Sequence, residues 1–275
     1  MKAFYKILKI VASYLFGAII IFPILWMFIS SFKEPSEIIN HPFSIPTSLS
    51  VHNYQAILKI PDFIRIILNT SIIAILVTII VAAISLPVSY MISRYTFPYK
   101  SAIKFFAIVG AYLFSPAILV FPYFSLLSTI GLLNSKAGVI FTHIAFCLPF
   151  AMTVGDLIFR SVPIELEEIA LLDYSSSIIS RITKVIIPAA KPQIIALLFL
   201  IFAISWKEFF YVFVVTSDST AMTLSVLLAG QYGAEGISWG VLLALSSIMI
   251  LPSIIVLFFA HKIKFSFLIQ AGTKG

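Results

Sequence analysis

The sequence predicts an all-α, polytopic membrane protein, because long apolar stretches fill most of the chain. Hydrophobic residues make up 61% of the 275 residues, charged residues make up 11%, and the mean hydropathy is +1.11. Soluble globular chains are about 25% charged. The composition therefore excludes a soluble globular protein and indicates an integral membrane protein.

Six apolar stretches are long enough for a helix that crosses the hydrocarbon core, which takes about 20 residues. We predict spanning helices at Ile10–Ile29, Ile67–Ile92, Ile103–Leu127, Ala137–Phe159, Ile194–Val215 and Gly240–Ala260. Pro116 and Pro122 are expected to kink the third helix rather than divide it into two passes. A single membrane domain over residues 1–275 accounts for the chain.

The first predicted helix and the segment after it need separate explanations. Lys2, Lys6 and Lys9 precede an apolar run as in a signal peptide. That run is too long and lacks a small-residue cleavage pattern, so we expect it to be retained. Between residues 30 and 65, prolines break the chain into short pieces, and we predict one short helix near Asn53–Leu58.

Lysine and arginine positions predict the orientation, because cytoplasmic loops carry the excess of positive charge. With six spans, both termini lie on one side of the membrane. Thirteen lysines and arginines fall on that side, and four fall on the other, namely Lys33, Lys59, Arg65 and Lys136. Both termini and the loop after the fourth span are therefore predicted to be cytoplasmic.

The net charge of +7 does not indicate a nucleic-acid-binding protein. The positive residues lie at the ends of apolar spans, where they set topology and contact anionic lipids, rather than on one folded face. Cys147 is the only cysteine and lies within the fourth span, so an intrachain disulfide and a thiolate metal site are both excluded. We expect Cys147 to be a small core residue and predict no metal site.

Residues 159–192, here called the polar loop, are charged and amphipathic between two apolar spans. We predict two short helices in it. In the first, Leu166, Ile169, Ala170 and Asp173 share one face, and Glu165 and Glu168 lie near the positive end of the helix dipole. In the second, an apolar stripe runs from Ile178 to Ile186 and the helix ends at Pro188. Spacing alone does not separate a pair of helices lying on lipid from a site that binds a soluble partner.

The polar loop resembles the cytoplasmic "EAA" loop of the permease subunits of binding-protein-dependent ABC importers. The residues that carry this resemblance are Pro163, Glu165, Leu166, Glu167, Glu168, Ala170, Asp173 and Pro188. The chain differs from that family in having Tyr174 in place of a glycine after the aspartate, and in a turn one residue longer. Glycine there permits a positive φ that tyrosine resists, so the turn must take another path.

Further motifs extend the resemblance along the whole chain to the carbohydrate-importer permeases, the branch with the maltose-type second permease. They occur in the family's order at Ser30–Lys33, Asn53–Tyr54, Leu68–Asn69, Arg94–Pro98, Pro122–Tyr123, Gly131–Leu132, Trp206–Phe209 and Ala271–Gly275. Several weak matches in the right order make a specific one.

The resemblance implies the type I ABC importer permease fold, with six transmembrane helices and a coupling helix in the polar loop. It implies a second homologous permease, two cytosolic ATPase subunits and an extracellular solute-binding protein, and therefore transport of a sugar or oligosaccharide. Glu165, Leu166, Glu168, Ala170, Asp173 and Tyr174 would transmit ATPase motion, with Gly272 and Lys274 of the tail as auxiliary contacts. The chain contains no G-x-x-x-x-G-K phosphate loop, so we expect no bound cofactor and no enzymatic activity of its own, with ATP and magnesium in the partner subunits.

Three residues within the fifth predicted span are the candidates for the translocation pathway, and two of them are ionisable. Trp206, Lys207 and Glu208 stand where the family has W-N-E, and charges at membrane depth usually face a cavity or a partner. Two interpretations of Lys207 stay open, a pathway residue or a side chain that extends to the outer headgroups. His143 is expected to be a hydrogen-bonded core group.

Two other functions are compatible with a polytopic chain. An ion-coupled secondary transporter is the alternative function, and Glu208 is the main residue that supports it. An intramembrane hydrolase needs a nucleophile with a base or clustered metal ligands, and the scattered histidines with one cysteine do not supply them.

Overall fold

The protein is helical along nearly all of the chain that the structure describes. The computed structural model describes residues 2–112, 116–173, 178–233 and 236–260. The helices are α1 (Lys2–Ser30), α2 (Pro35–Asn40), α3 (His52–Leu58), α4 (Phe63–Arg94), α5 (Lys100–Tyr112), α6 (Pro116–Thr129), α7 (Lys136–Ser161), α8 (Glu165–Asp173), α9 (Ile178–Arg181), a π-helical turn (Ile182–Ile186), α10 (Ile187–Lys207), α11 (Phe210–Val215), α12 (Leu224–Gly230) and α13 (Trp239–Ala260). Two-residue strands β1 (Tyr232–Gly233) and β2 (Gly236–Ile237) pair in an antiparallel hairpin.

The predicted all-helical membrane class is confirmed. In the described residues, four helices are long and apolar enough to cross a bilayer, at Leu8–Ser30, Phe63–Arg94, Lys136–Ser161 and Ile178–Lys207. Shorter apolar helices lie at Ile118–Thr129 and Trp239–Ile255. The third predicted span corresponds to α5 and α6, with residues 113–115 outside the described part. The count of six spans stays a prediction.

The predicted fifth span is wrong at both ends. The helix does not run on to Val215 but ends at Lys207, and Glu208 has extended backbone with ψ 130. The Glu208 side chain explains the break, because its Oε1 accepts from Tyr211 N at 3.0 Å and its Oε2 from Val212 N at 3.3 Å. These bonds satisfy amide groups at the start of α11 that have no partner within that helix.

The second helix of the polar loop was predicted to end at Pro188, and this prediction is wrong. The helix continues without interruption into α10. Proline in a helix removes one hydrogen bond and its ring collides with the carbonyl group four residues earlier. For Pro188 that carbonyl belongs to Lys184, which lies in the π-helical turn Ile182–Ile186. The wider turn changes the hydrogen-bond register there, so the helix can include the proline.

By contact density the chain divides into two compact units, one of residues 1–64 and 227–251 and the other of residues 65–226 and 252–275. The core of the second unit is formed by α4, α7 and α10. Its fully buried residues include Val77, Val81, Val139, Ala151, Ile158, Leu197 and Ile201. Gly155 on α7 faces the Ser89 side chain on α4, and Ser89 Oγ donates to Met152 O at 3.0 Å. A small residue at this point lets the two helices approach closely, as is usual in membranes.

Asparagine side chains hold the segment that follows α11 in the second unit. Asn69 Nδ2 donates to three carbonyl groups, those of Ser219, Thr220 and Met222. Asn134 Nδ2 donates to Asp218 Oδ2 at 2.7 Å. Hydrogen bonds from Thr220 and Asn134 to the Asp218 carboxylate hold the pKa of Asp218 below its usual value. The Leu68–Asn69 motif of the sequence therefore has a structural role.

Lys33 and Asn53 organise the segment after α1 in the first unit. The Lys33 side chain is fully buried, and its Nζ donates to His41 O at 3.1 Å and Pro42 O at 3.0 Å. Its Nζ also lies 5.1 Å from the centre of the Trp26 ring, a cation–π arrangement. Asn53 Nδ2 donates to Ser31 O and Lys33 O at 2.9 and 2.8 Å. The predicted helix near Asn53–Leu58 is confirmed as α3.

Replacing Gly240 should disturb this arrangement, because a Cβ atom there would collide with the Asn53 side chain. We expect Gly240→Ala to cost about 1–3 kcal/mol of stability, the usual cost of overpacking. The midpoint of thermal unfolding in detergent, followed by the remaining monodisperse protein after heating, should fall by several degrees. Gly17→Ala is the matched control, since nothing lies within 4 Å of that Cβ. Equal midpoints for both variants would contradict the assigned contact.

Candidate functional site

The polar loop places a short acidic helix directly after α7. Ser161 ends α7, Val162 has extended backbone, and Pro163 and Ile164 lead into α8. The first turn of α8 is closed by bonds from Leu166 N to Pro163 O and from Glu168 N to Ile164 O, at 3.3 and 3.1 Å. Glu165, Glu167 and Glu168 all lie in this turn, where carboxylates favour the positive end of the helix dipole. The first predicted helix of the loop is therefore present.

The inner face of α8 packs on the second unit. Ala170 is 2% exposed, and Leu166 packs against the buried core, as expected for residues one helical turn apart. Ile169 was predicted to share this face, but it is 56% exposed. The shared face is therefore buried along the Leu166–Ala170 row, and Ile169 lies beside that row.

A charged clamp joins α8 to the end of α4. Arg94 Nε lies 2.5 Å from Glu167 Oε1, and the two side chains are only 10% and 18% exposed. Tyr90 donates its hydroxyl to Glu167 Oε2 at 3.1 Å. Arg94 Nη2 donates to Val162 O at 2.7 Å, so the same arginine also holds the segment that enters α8. Four residues from α4, the loop and α8 therefore form one connected polar group.

Sequence analysis did not predict this clamp. It placed Arg94 in one motif and Glu167 in another, and it assigned no role to Tyr90. The available signal was the group of three glutamates at residues 165, 167 and 168, because Glu167 lies on a different face of the helix from the pair Glu165 and Glu168. Which of them points inward depends on the angle at which α8 leaves α7.

The outer face of α8 combines exposed carboxylates with exposed apolar side chains. Glu165 and Glu168 are exposed. Ile164, Ile169 and Leu171 are 55%, 56% and 45% exposed. Asp173 is the last residue of α8, and the predicted contacts Tyr174, Gly272 and Lys274 lie outside the described residues. Apolar groups rimmed by charges are typical of a surface that meets another protein.

The second predicted site lies at the break between α10 and α11. Trp206 is buried, Lys207 is exposed, and Glu208 is 9% exposed. Lys207 and Glu208 do not form a pair, because the Glu208 carboxylate caps α11. His143 on α7 is fully buried, with Nδ1 2.8 Å from Ser205 Oγ and Nε2 3.3 Å from Glu208 Oε2. His143 is therefore a core group that contacts polar neighbours, as predicted.

A cavity of about 420 Å³ opens beside this break. It lies among residues of α7, of the end of α10 and of the start of α11. Its lining residues are Phe146, Cys147, Phe150, Ile204, Lys207, Glu208, Phe209 and Phe210. Two of the three residues predicted for the translocation pathway, Lys207 and Glu208, therefore line this cavity.

The chain is similar to transport permeases over most of its length. It is 30% identical, over 98% of its length and 97% of the relative's, to the trehalose/maltose transport system permease protein MalG of Thermococcus litoralis. It is 29% identical, over 88% of its length and 80% of the relative's, to the diacetylchitobiose uptake system permease protein NgcG of Streptomyces coelicolor. No family model matches the chain.

A solved structure shares the fold. A chain of a bacterial ABC transporter involved in the import of the acidic polysaccharide alginate superposes with a TM-score of 0.74 at 21% identity, covering 96% of this chain and 97% of that one. A second structure, of an alginate ABC transporter in complex with a pentasaccharide-bound periplasmic protein, gives a TM-score of 0.63 at 20% identity. At this identity the likeness concerns the fold.

The clamp predicts that α8 loosens when the Glu167 charge is removed. Breaking a buried ion pair costs about 3–5 kcal/mol, and the partial exposure of this pair reduces the expected cost to about 2 kcal/mol. In Glu167→Gln, backbone amide hydrogen exchange over Glu165–Asp173 should become at least about tenfold faster. Glu165→Gln is the matched control, because Glu165 is exposed on the same helix. Unchanged exchange in Glu167→Gln would show that the ion pair does not hold α8.

Proposed function

The chain belongs to the permease family of sugar ABC importers, and from that premise we propose that it forms one half of a transmembrane pathway for a sugar or oligosaccharide. We propose that an extracellular solute-binding protein delivers the substrate and that two cytosolic ATPase subunits supply the energy. The chain contains no G-x-x-x-x-G-K phosphate loop, so ATP and magnesium belong to those partners.

The names of the relatives support the substrate class. They are permeases for trehalose or maltose, for diacetylchitobiose and, among solved structures, for alginate import. These substrates share linked sugar rings and differ in length and charge. An oligosaccharide is therefore the proposed substrate class.

The outer face of α8 is the observation that carries the proposed coupling role. An exposed set of isoleucine, leucine and glutamate side chains follows a membrane-spanning helix, while the opposite face is held by Ala170, Leu166 and the Arg94–Glu167 clamp. A partner that grips the outer face would therefore pull on α4 and α7 through rigid contacts rather than through a flexible loop. We propose that this partner is the ATPase, with apolar contacts for affinity and carboxylates for pairing with its basic residues.

A second permease subunit is proposed to complete the pathway. Leu8–Ser30 of α1 is strongly apolar after Lys9, and most of its large side chains, including Tyr14, Phe16 and Ile19, are more than half exposed. Helices in a bilayer associate by packing, so such a surface meets lipid or another subunit. In the proposed assembly, the single membrane domain of residues 1–275 contacts lipid on part of its surface and the second permease on another part.

The ion-coupled alternative depends on Glu208, and the structure gives it little support. A coupling carboxylate must exchange its proton or ion during the cycle. Both Glu208 oxygens accept hydrogen bonds from the first amide groups of α11. Protonation would therefore disrupt a helix cap, which favours a structural role for Glu208.

Reversing the charge at Glu168 should separate the permease from its ATPase. Glu168→Lys adds a positive charge on the outer face of α8, where we propose that basic residues of the ATPase bind, so like charges would oppose docking. Affinity purification of the tagged chain, followed by mass spectrometry, should recover an ATPase and a second permease with the wild type. The variant should recover the second permease in the same amount as the wild type. The amount of ATPase recovered and the rate of substrate-stimulated ATP hydrolysis should both fall at least about tenfold.

The control for this experiment is Glu34→Lys, which makes the same change at an exposed glutamate of the opposite predicted side. It should recover the same subunits as the wild type. Equal ATPase recovery from Glu168→Lys and Glu34→Lys would contradict docking at α8. If the wild-type chain purifies alone and transports in response to an ion gradient, the proposal that it is part of an ABC importer is wrong.

The proposed orientation, with both termini cytoplasmic, is testable because Cys147 is the only cysteine. In a Cys147→Ala background, a membrane-impermeant maleimide added to intact cells should label Glu34→Cys. Glu168→Cys should react only after the membrane is opened. Labelling of Glu168→Cys in intact cells would reverse the orientation.

A further inference from the structure

The cavity beside the α10–α11 break has a lysine and several phenylalanines in its lining, and this combination indicates a ligand. We propose that the cavity binds an acidic sugar residue of the transported substrate, with Lys207 as the partner of its negative charge. The inference rests on the proposed import of an oligosaccharide and adds the charge of the sugar that this chain would recognise.

The Lys207 ammonium group is not neutralised in the part of the chain that the structure describes. The carboxylate of its neighbour Glu208 has other partners: one oxygen accepts from Tyr211 N, and the other accepts from Val212 N and lies 3.3 Å from His143 Nε2. The ion pairs that the described residues form do not include Lys207. Glu208 also lines the cavity, but both of its carboxylate oxygens accept hydrogen bonds from α11, so among the described residues the exposed Lys207 has no ion-pair partner there.

The depth of Lys207 makes this charge significant. Lys191 and Lys207 lie on the same helix, sixteen residues apart, which corresponds to about 24 Å at 1.5 Å per residue. The hydrocarbon core is about 30 Å thick. If Lys191 lies at the cytoplasmic boundary, Lys207 lies within the outer leaflet, where an ammonium group needs water or a counter-charge.

The broken helix indicates that this depth is not filled with lipid. Backbone that leaves the helical conformation within a membrane is found where it is buried in protein or lines a cavity, because lipid cannot satisfy its polar groups. Discontinuous helices of this kind form the substrate sites of other transporter folds. Here the break at Glu208 and Phe209 lies directly on the cavity.

The chemistry of the lining favours an acidic sugar over a neutral one. The rings of Phe146, Phe150, Phe209 and Phe210 can cover the apolar C–H face of a pyranose ring, and the volume of 420 Å³ is within the range of small-molecule sites. A neutral sugar would leave the Lys207 charge unpaired. A carboxylate or sulfonate on the sugar would pair with it by a charge-assisted hydrogen bond.

The experiment compares one oligosaccharide with and without its charge. Trigalacturonate and its fully methyl-esterified form have the same rings, and only the first is an anion. The tagged full-length chain, captured with its co-purifying subunits in nanodiscs of zwitterionic phosphatidylcholine, is titrated with each tritiated sugar in a proximity assay. Three proteins are compared: the wild type, Lys207→Gln, and Lys59→Gln as the control at an exposed lysine elsewhere.

We expect the wild type and Lys59→Gln to bind trigalacturonate at least about tenfold more tightly than the ester, and added salt to reduce the difference, as for an ion pair in contact with water. Lys207→Gln should bind both forms with the weaker affinity. Equal affinity of the wild type for the two sugars, or unchanged preference in Lys207→Gln, would overturn the proposal.

A lipid phosphate is the rival source of the anion. Nanodiscs that contain phosphatidylglycerol should leave the preference for trigalacturonate intact; loss of that preference in the wild type would mean that Lys207 binds the lipid, and would overturn the proposal. The importer is tested separately by the recovery of an ATPase with the same wild-type preparation. An ATPase recovered without sugar preference would reject only the acidic-sugar site, and an absent ATPase would reject the importer.

Discussion

The structure depends on the requirement that backbone polar groups at membrane depth be hydrogen-bonded within the protein. Helices meet this requirement automatically, and most of the chain is helical. Where α10 ends inside an apolar region, the Glu208 carboxylate takes over and binds the first free amide groups of α11. The same residue accepts a bond from Ser225 Oγ at its own carbonyl, at 2.6 Å. One side chain therefore caps the helix that follows the break, and residues at the break line the cavity.

The second unit has two polar clusters, one at the α10–α11 break and one at the polar loop, and they differ in burial and in the elements that they join. At the break, His143, Ser205 and Glu208 are almost fully buried and lie in contact, with His143 Nδ1 2.8 Å from Ser205 Oγ. At the polar loop, the clamp of Arg94 and Glu167 is slightly exposed and joins separate elements. Between these levels the core of α4, α7 and α10 is apolar and buried, and the proposed coupling would pass through it.

The short helix α8 has two faces with different surroundings. Its inner face uses small and apolar contacts, namely Ala170 and Leu166, and one ion pair, while its outer face remains free for another protein. The two faces have opposite requirements. In the proposed coupling role, contacts on the inner face must hold when the ATPase moves, and contacts on the outer face must be specific for the ATPase. The alternation of apolar and acidic residues in residues 164–171 meets both within about two helical turns.

The sequence by itself determined the membrane class, the approximate positions of the apolar helices, the polar loop and the family, because hydropathy and local spacing act over short distances along the chain. It also singled out Glu165 and Glu168, which are exposed on α8, whereas the exposure of Ile169 and the ion pair of Glu167 were found only in the structure. The tertiary structure alone decided that the fifth span breaks at Glu208, that Lys207 faces a cavity without its neighbour as partner, and that Arg94 meets Glu167. Each of these depends on the directions of side chains from helices far apart in sequence, and local periodicity contains no information about such directions.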